Sequence, residues 1–299
     1  MKILVTGATG LLGRSVYRQL AGNRDWEVTG TAHSRRGPGL LSLDLACPSQ
    51  VLAVLEDLRP DVVIHCAAER WPDRCARQPD TAWALNVDAT AHLARSCSHL
   101  GTQLVYISTD YVFDGTAPPY RVDDPPAPIN FYGRSKRAGE EAVLAHRGHW
   151  ILRLPLLFGP VEQTRESGVT ALLDTIVERT PIALDDWATR YPTSVEEVAT
   201  VLERCLLHGH GLHSFSGIYH WSGDTACTRF ELAMMIADIL QLDGSHISAE
   251  STPRFAEPRP QNCQLDKSRL LELGIRGDAP LSQQLDRTLR PLLHSAGKN

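Results

Sequence analysis

The chain has 299 residues, 42% of them hydrophobic and 22% charged, with a formal net charge of −5. That much apolar chain fills one large core or two joined ones, so neither disulfides nor a metal is needed to fold it. A weakly acidic balance without a Lys/Arg run argues against a nucleic-acid backbone or an anionic membrane as partner, although one anionic cofactor needs only a local cation or two. Cys47, Cys66, Cys75, Cys97, Cys205, Cys227 and Cys263 are odd in number, scattered and without a CxxC pair. They read as free thiols in a reducing compartment. With no charged leader or long apolar run at the start "MKILVTGATG", the expectation is a cytoplasmic chain without a membrane span.

In chain order, "KILVTG", "WEVTGTA", "DVVIHCAA" and "QLVYISTD" read as apolar strands, separated by the amphipathic segments "LLGRSVYRQLAG", "PSQVLAVLEDLRP" and "TAWALNVDATAHLARSCSHLG". Continuous apolar strands alternating with helices predict a parallel sheet covered on both faces. The fold class expected is therefore α/β, a Rossmann-type doubly wound parallel sheet with a smaller C-terminal substrate lobe. The regular alternation weakens after "HWILRLPLLFGP". The boundaries read as 1–158 for the nucleotide-binding domain, with 187–222 returning to it, and 159–186 plus 223–299 for the substrate lobe.

Between the first strand and helix, "VTGATGLLG" spaces Gly7, Gly10 and Gly13 by three. Glycines there permit a tight turn and a close backbone approach to a pyrophosphate, which the helix N-terminus then stabilises. At the end of the second strand, "VTGTAHSRRG" lacks the carboxylate that would hold an NAD ribose and offers Ser34, Arg35 and Arg36. A hydroxyl and two guanidinium forks suit a 2′-phosphate, which points to NADP(H); the plainer alternative is a pair of solvated loop arginines.

The strand "VYIST" ends in Ser108 and Thr109, at the carboxyl edge where open parallel sheets bind ligands. Downstream, "FYGRSKRAGEEAVLAH" puts Tyr132 and Lys136 four residues apart on one helix face. A phenol beside an ammonium, with a hydroxyl to hold the substrate oxygen, is equipment for reducing a carbonyl by hydride: Tyr132 gives the proton, Lys136 biases it electrostatically and Thr109 orients the oxygen. Other candidates read more plainly. Asp110 braces a loop or joins the chemistry; Asp266 caps a helix that Gly274 ends; Arg153 braces the lobes or meets an anionic substrate. His208, His210 and His213 lie in a Gly-rich loop without Cys or carboxylate at ligand spacing, and no metal is expected.

The motifs "TGATGLLG", "STDYVFDG" and "YGRSK" resemble the glycine, hydroxyl and Tyr-x-x-x-Lys motifs of the extended short-chain dehydrogenase/reductases. Within that family "HCAAERWPD", "PAPINFYG", "RYPTSVEEVATV" and "RPQNCQLDKSRLLELGI" are similar to the dTDP-4-dehydrorhamnose reductase branch, which includes the regulatory beta subunits of methionine adenosyltransferase. The resemblance implies that Thr6, Gly7, Thr9, Gly10, Leu11, Leu12 and Gly13 line the pyrophosphate. It further implies that Asp44 and Leu45 flank adenine, that Cys66, Ala67 and Ala68 border the ribose, that Asn86 supports Lys136, and that Pro155 faces the nicotinamide. It implies a small-molecule keto substrate of sugar or sugar-nucleotide type or, in the beta-subunit alternative, a methionine adenosyltransferase catalytic subunit as partner and little turnover. Homodimerisation is implied as well.

Overall fold

The structure is a computed structural model that describes residues 1–33, 37, 39–208, 215–252, 254–277 and 279–296. Ser34, Arg35, Arg36, His210 and His213 lie outside the described residues. The chain runs β1 (Lys2–Thr6), α1 (Leu11–Ala21), β2 (Glu27–Ala32), β3 (Leu40–Ser42), α2 (Pro48–Leu58) and β4 (Val62–His65). Two short helices, α3 (Pro72–Arg77) and α4 (Pro79–Trp83), lead through a π-helical turn at Ala84–Asp88 into α5 (Ala89–Leu100), followed by β5 (Gln103–Thr109), α6 (Phe131–Leu144) and β6 (Trp150–Leu154). The remainder comprises β7 (Leu157–Phe158), α7 (Ala171–Glu178), β8 (Ile182–Asp185), β9 (Thr193–Ser194), α8 (Val195–Leu207), β10 (Gly217–His220), α9 (Arg229–Leu240), β11 (Ile247–Glu250), α10 (Ser268–Glu272) and α11 (Leu281–Ala296).

Seven strands form one sheet in the order β10-β6-β5-β4-β1-β2-β3, every pairing parallel. This doubly wound α/β architecture is the one expected. The central strands are apolar on both faces because helices cover both. One face buries Val16 and Leu20 of α1 and Val198 and Leu202 of α8 against Ile3, Val5 and Val105; the other buries Val51, Leu55, Leu93 and Cys97 of α2 and α5 against Leu4, Val63 and Tyr106. A further cluster joins α7, α9 and α11 through Leu172, Ile176, Leu232, Ile236, Leu285 and Leu289, with Leu184 and Ile247 from the small β8–β11 sheet. Gly274 follows α10 at φ +77°, as the sequence suggested, whereas the N-cap is Lys267 and Asp266, expected there, lies one residue earlier and accepts the Ser268 N–H at 2.7 Å. Among the described residues no helix is long and apolar enough to cross a membrane.

Two histidines lie deep in the fold. His65 sits between Thr6 Oγ1 at 2.7 Å and Thr90 Oγ1 at 3.2 Å, and burial pulls it and His220 from 6.5 to about 3. Both are therefore neutral in the fold but take up a proton near 6.5 when unfolded. Their contribution is complete above pH 6.5 and is lost progressively as pH falls toward 3. Asp110, pushed up to about 6 by burial, acts oppositely, since it protonates earlier in the fold than in the unfolded chain. At pH 5 each histidine forfeits about 2 kcal/mol and Asp110 regains about 1. Calorimetry should therefore show the Tm falling by about 5 °C or more between pH 7 and pH 5. A flat acid limb would show that these histidines are not held neutral.

Candidate active site

In the sheet, the chain order reverses between β1 and β4, and the carboxyl ends of these strands open into a cavity of about 1090 Å³. This is the crevice where doubly wound sheets bind ligands. Its floor is the glycine turn. Gly7 adopts φ +67°, and a Cβ there would stand 2.9 Å from the Ala67 backbone; a Cβ on Gly13 would stand 2.1 Å from the Gly7 carbonyl oxygen. The bare backbones let α1 seat directly against the β1 turn, where the Gly10 N–H donates to Gly7 O at 2.9 Å. Gly10 caps α1 without any side-chain hydrogen bond, and no acid occupies the first turn. The helix N-terminus is thus open to an anion from the cavity.

Gly7, Thr9, Gly10, Leu11, Leu12, Gly13, Asp44, Leu45, Cys66, Ala67, Ala68 and Pro155 all line this cavity. Thr6 does not. It is fully buried beneath the turn with its hydroxyl on His65, because alternation along β1 turns it into the sheet's packed face. His33, 3.9 Å from Asp44, also lines the adenine end implied above, although nothing in its sequence setting marked it.

At the opposite wall, Thr109 ends β5, and Tyr132 and Lys136 stand in the first two turns of α6. Asn130 caps α6, its Oδ1 accepting from the Gly133 N–H at 2.8 Å. Gly133 is required because a Cβ there would meet Tyr111 O at 2.1 Å, and this close approach carries Tyr132 to the rim. Tyr132 packs edge-on to Tyr111 with ring centroids 5.9 Å apart. Burial holds its phenol above the usual tyrosine range, and the neighbouring Thr109 hydroxyl acts the other way. Thr109 Oγ1 donates to Asp110 Oδ1 at 3.1 Å and accepts from the Tyr111 N–H at 3.2 Å. Asp110 thus orients the threonine.

Lys136 is buried, donates to Ile107 O at 2.7 Å and lies 3.9 Å from the centre of the Tyr106 ring. Burial pulls its amine down to about 7, opposed by the charge of Glu140. Asn86 does not support the lysine through its side chain. Its carboxamide exchanges hydrogen bonds of 2.9 Å with the Glu69 backbone and donates to Ser135 Oγ at 3.0 Å, and Ser135 in turn donates to Tyr132 O at 2.8 Å. The π-helical turn faces Asn86 toward the loop after β4 and toward α6, so its side chain braces the helix that carries Tyr132. Arg153 lies in the core on Glu140 and does not reach the cavity.

Ser108, read at this edge from the sequence, lines the cavity together with several groups that gave no local signal. Ser108 Oγ is buried against the cavity with no hydrogen-bond partner. The outer end gathers Arg190, Arg229, Arg254, Arg259, Trp71 and Phe255. Arg259 pairs with Asp73 at 2.9 Å across 186 positions of sequence, which no motif could reveal. Arg190 lies 5.7 Å from the Tyr111 ring centre.

Comparison with known proteins agrees with this geometry. The chain is 42% identical over 295 residues to methionine adenosyltransferase 2 subunit beta of Pongo abelii, covering 98% of this chain and 88% of that one. It is 34% identical over 266 residues to a Streptomyces antibioticus protein named "Probable dTDP-4,6-dihydroxy-2-methyloxan-3-one 4-ketoreductase", covering 87% of this chain and 84% of the other. Among solved structures, dTDP-4-dehydrorhamnose reductase of Bacillus anthracis in complex with NADP superposes with a TM-score of 0.84 at 29% identity, covering 97% of this chain and 98% of that one. The RmlD substrate binding domain family matches residues 1–293, and with a sheet order, glycine turn and rim residues consistent with that match, the chain belongs to this family.

Proposed function

We propose that the chain binds NADP(H) and reduces a keto group on a sugar or sugar-nucleotide-like substrate. The observation that carries this reading is the convergence of Thr109, Tyr132 and Lys136 on the cavity that the glycine turn opens into. The residues fit a dinucleotide: Gly7 and Gly13 leave no room for a Cβ and so bring the backbone of the turn close, the helix N-terminus has no side-chain cap, and the Ser108 hydroxyl awaits a partner. Ser34, Arg35 and Arg36 in the sequence, together with the NADP complex of the Bacillus anthracis relative, favour the phosphorylated dinucleotide.

The nicotinamide, when bound, supplies a hydride to the carbonyl carbon. Tyr132 gives its proton to the carbonyl oxygen, so C=O becomes CH–OH. Burial keeps the phenol neutral at physiological pH, so its proton is present when the alkoxide, a far stronger base, develops. Thr109 fixes the substrate oxygen next to the phenol by turning its one hydroxyl proton from Asp110 Oδ1 to that oxygen. Lys136 provides positive charge at the rim and a donor for the nucleotide ribose. The lobe expected at 159–186 and 223–299, with Arg190, carries the substrate.

Arg190, Arg229, Arg254 and Arg259 suit an anionic substituent such as a diphosphate, and Phe255 or Trp71 offers a face to a ring. Arg259→Ala and Arg190→Ala should each raise KM for a diphosphate-bearing keto-sugar about 10-fold or more, with KM for NADPH unchanged. Equal KM values in steady-state assays would reject these arginines as substrate ligands.

The 42% identity to methionine adenosyltransferase 2 subunit beta favours a second reading, in which the same nucleotide site serves a regulatory subunit with slight turnover. NADPH oxidation at 340 nm should be screened against keto-sugar nucleotides, beside co-elution with a methionine adenosyltransferase catalytic subunit from the same source. Turnover supports the reductase. NADPH binding and stable co-elution without turnover on any substrate would replace it with the regulatory subunit.

A further inference from the structure

Helix α6 carries a buried carboxylate that the chemistry above does not use. Glu140, one turn past Lys136, is fully buried, and Arg153 of β6 grips it with two bonds of 2.8 Å, Nε to Oε1 and Nη2 to Oε2. Arg153 is fully buried too; its Nη1 lies 3.3 Å from His220 Nε2 and its guanidinium 5.0 Å from the Phe113 ring centre. A guanidinium only donates, so His220 must accept through Nε2 and donate through Nδ1 to Asp266 O at 3.2 Å. Arg137 adds a longer contact to Glu140 at 3.5 Å. The carboxylate is therefore fixed in position.

Withdrawing a carboxylate and a guanidinium from water costs several kcal/mol each, and an apolar pair of similar volume often serves stability as well. Stability alone is a weak reason for this pair. What distinguishes its setting is Lys136, on the same helix face at i, i+4. The titratable groups that bear on that amine are Glu140 and Tyr132 on α6, Tyr106 on β5, His65 on β4, Cys66 beyond it and Cys75 on α3. Burial keeps His65 neutral and pushes both thiols up to about 12 and the Tyr106 and Tyr132 phenols upward, so none of these five is an anion at neutral pH. Glu140 supplies the negative charge of this set.

We propose that Glu140, held by Arg153, is a positioning residue that acts on Lys136 through its charge from one helical turn away, while Ile107 O sets the direction of the amine. Its effect on turnover rests on the reading of Tyr132 and Lys136 given above, whereas the charge on Lys136 can be read without any ligand. The sequence contains four lysines, Lys2, Lys136, Lys267 and Lys298, so full-length protein labelled with ¹³C at lysine Cε gives a small set of signals. Lys136→Met assigns the one of interest. Its midpoint should lie near neutrality and fall by about one pH unit or more in Glu140→Gln, while Glu140→Asp keeps it within about half a unit.

Should Glu140→Gln fail to fold, the paired variant Glu140→Gln/Arg153→Met removes both charges at similar volume. Its midpoint should also fall, by less, because the opposing guanidinium is lost as well. A merely structural pair would leave the midpoint where it is, and an unchanged midpoint in either folded variant overturns the proposal. Where NADPH turnover is measurable, its pH profile should shift with the signal. A shifted signal in protein that never binds NADPH would remove the functional reading and leave the positioning role standing.

Discussion

Replacing Tyr132 by phenylalanine should lower kcat by about 10²-fold or more while leaving the Kd for NADPH nearly unchanged. The substitution keeps the ring that packs edge-on against Tyr111 and removes a single oxygen, so helix α6 and its Asn130 cap have no reason to move. What disappears is the proton and the polar group beside the Thr109 hydroxyl. Without a donor at that position the oxygen of the reduced substrate has to draw its proton from water, which the buried wall around Thr109 and Asp110 largely excludes. Single-turnover NADPH oxidation and a fluorescence titration of the nucleotide separate the two effects. Wild-type turnover in the variant would reject Tyr132 as the acid.

Gly13→Val is expected to weaken NADPH binding by about 100-fold or more. The new Cβ would begin 2.1 Å from the Gly7 carbonyl oxygen, a backbone atom with no rotamer by which to escape. Helix α1 would have to slide away from the β1 turn, taking its N–H groups from the anion they face. Gly7→Ala should act in the same direction, since that residue sits at φ +67° and its Cβ would press on the Ala67 backbone. Calorimetric titration, with circular dichroism confirming that the variant is folded, checks the result. Undiminished affinity in folded Gly13→Val protein would move the nucleotide site elsewhere.

The sheet was legible because its strands are apolar on both faces and its helices are not, a contrast that survives without tertiary information. The rim was legible for a related reason. Gly7, Gly10 and Gly13, and then Tyr132 and Lys136, have spacings fixed by a turn and by one helix period. Where roles depended on which way a side chain turns, sequence failed. Thr6 follows the strand alternation into the core, and Asn86 is rotated by a π-helical turn toward Glu69 and Ser135. Arg153 could be read as a substrate ligand or a brace until its two bonds to Glu140 decided the matter. The outer arginines escaped for want of locality, since Asp73 and Arg259 meet only after the chain has doubled back through 186 positions.

That doubling back also orders events during synthesis. Strand β6 is in place by residue 154, but its outer neighbour β10 spans 217–220, with α7, α8 and the small β8–β11 pair's first strand made in between. A nascent chain thus presents the open hydrogen-bonding edge of an apolar strand, Trp150 to Leu154, through the translation of more than sixty further residues. During that interval the half-made protein is most exposed to adhesion between chains, and a chaperone would have most to offer it.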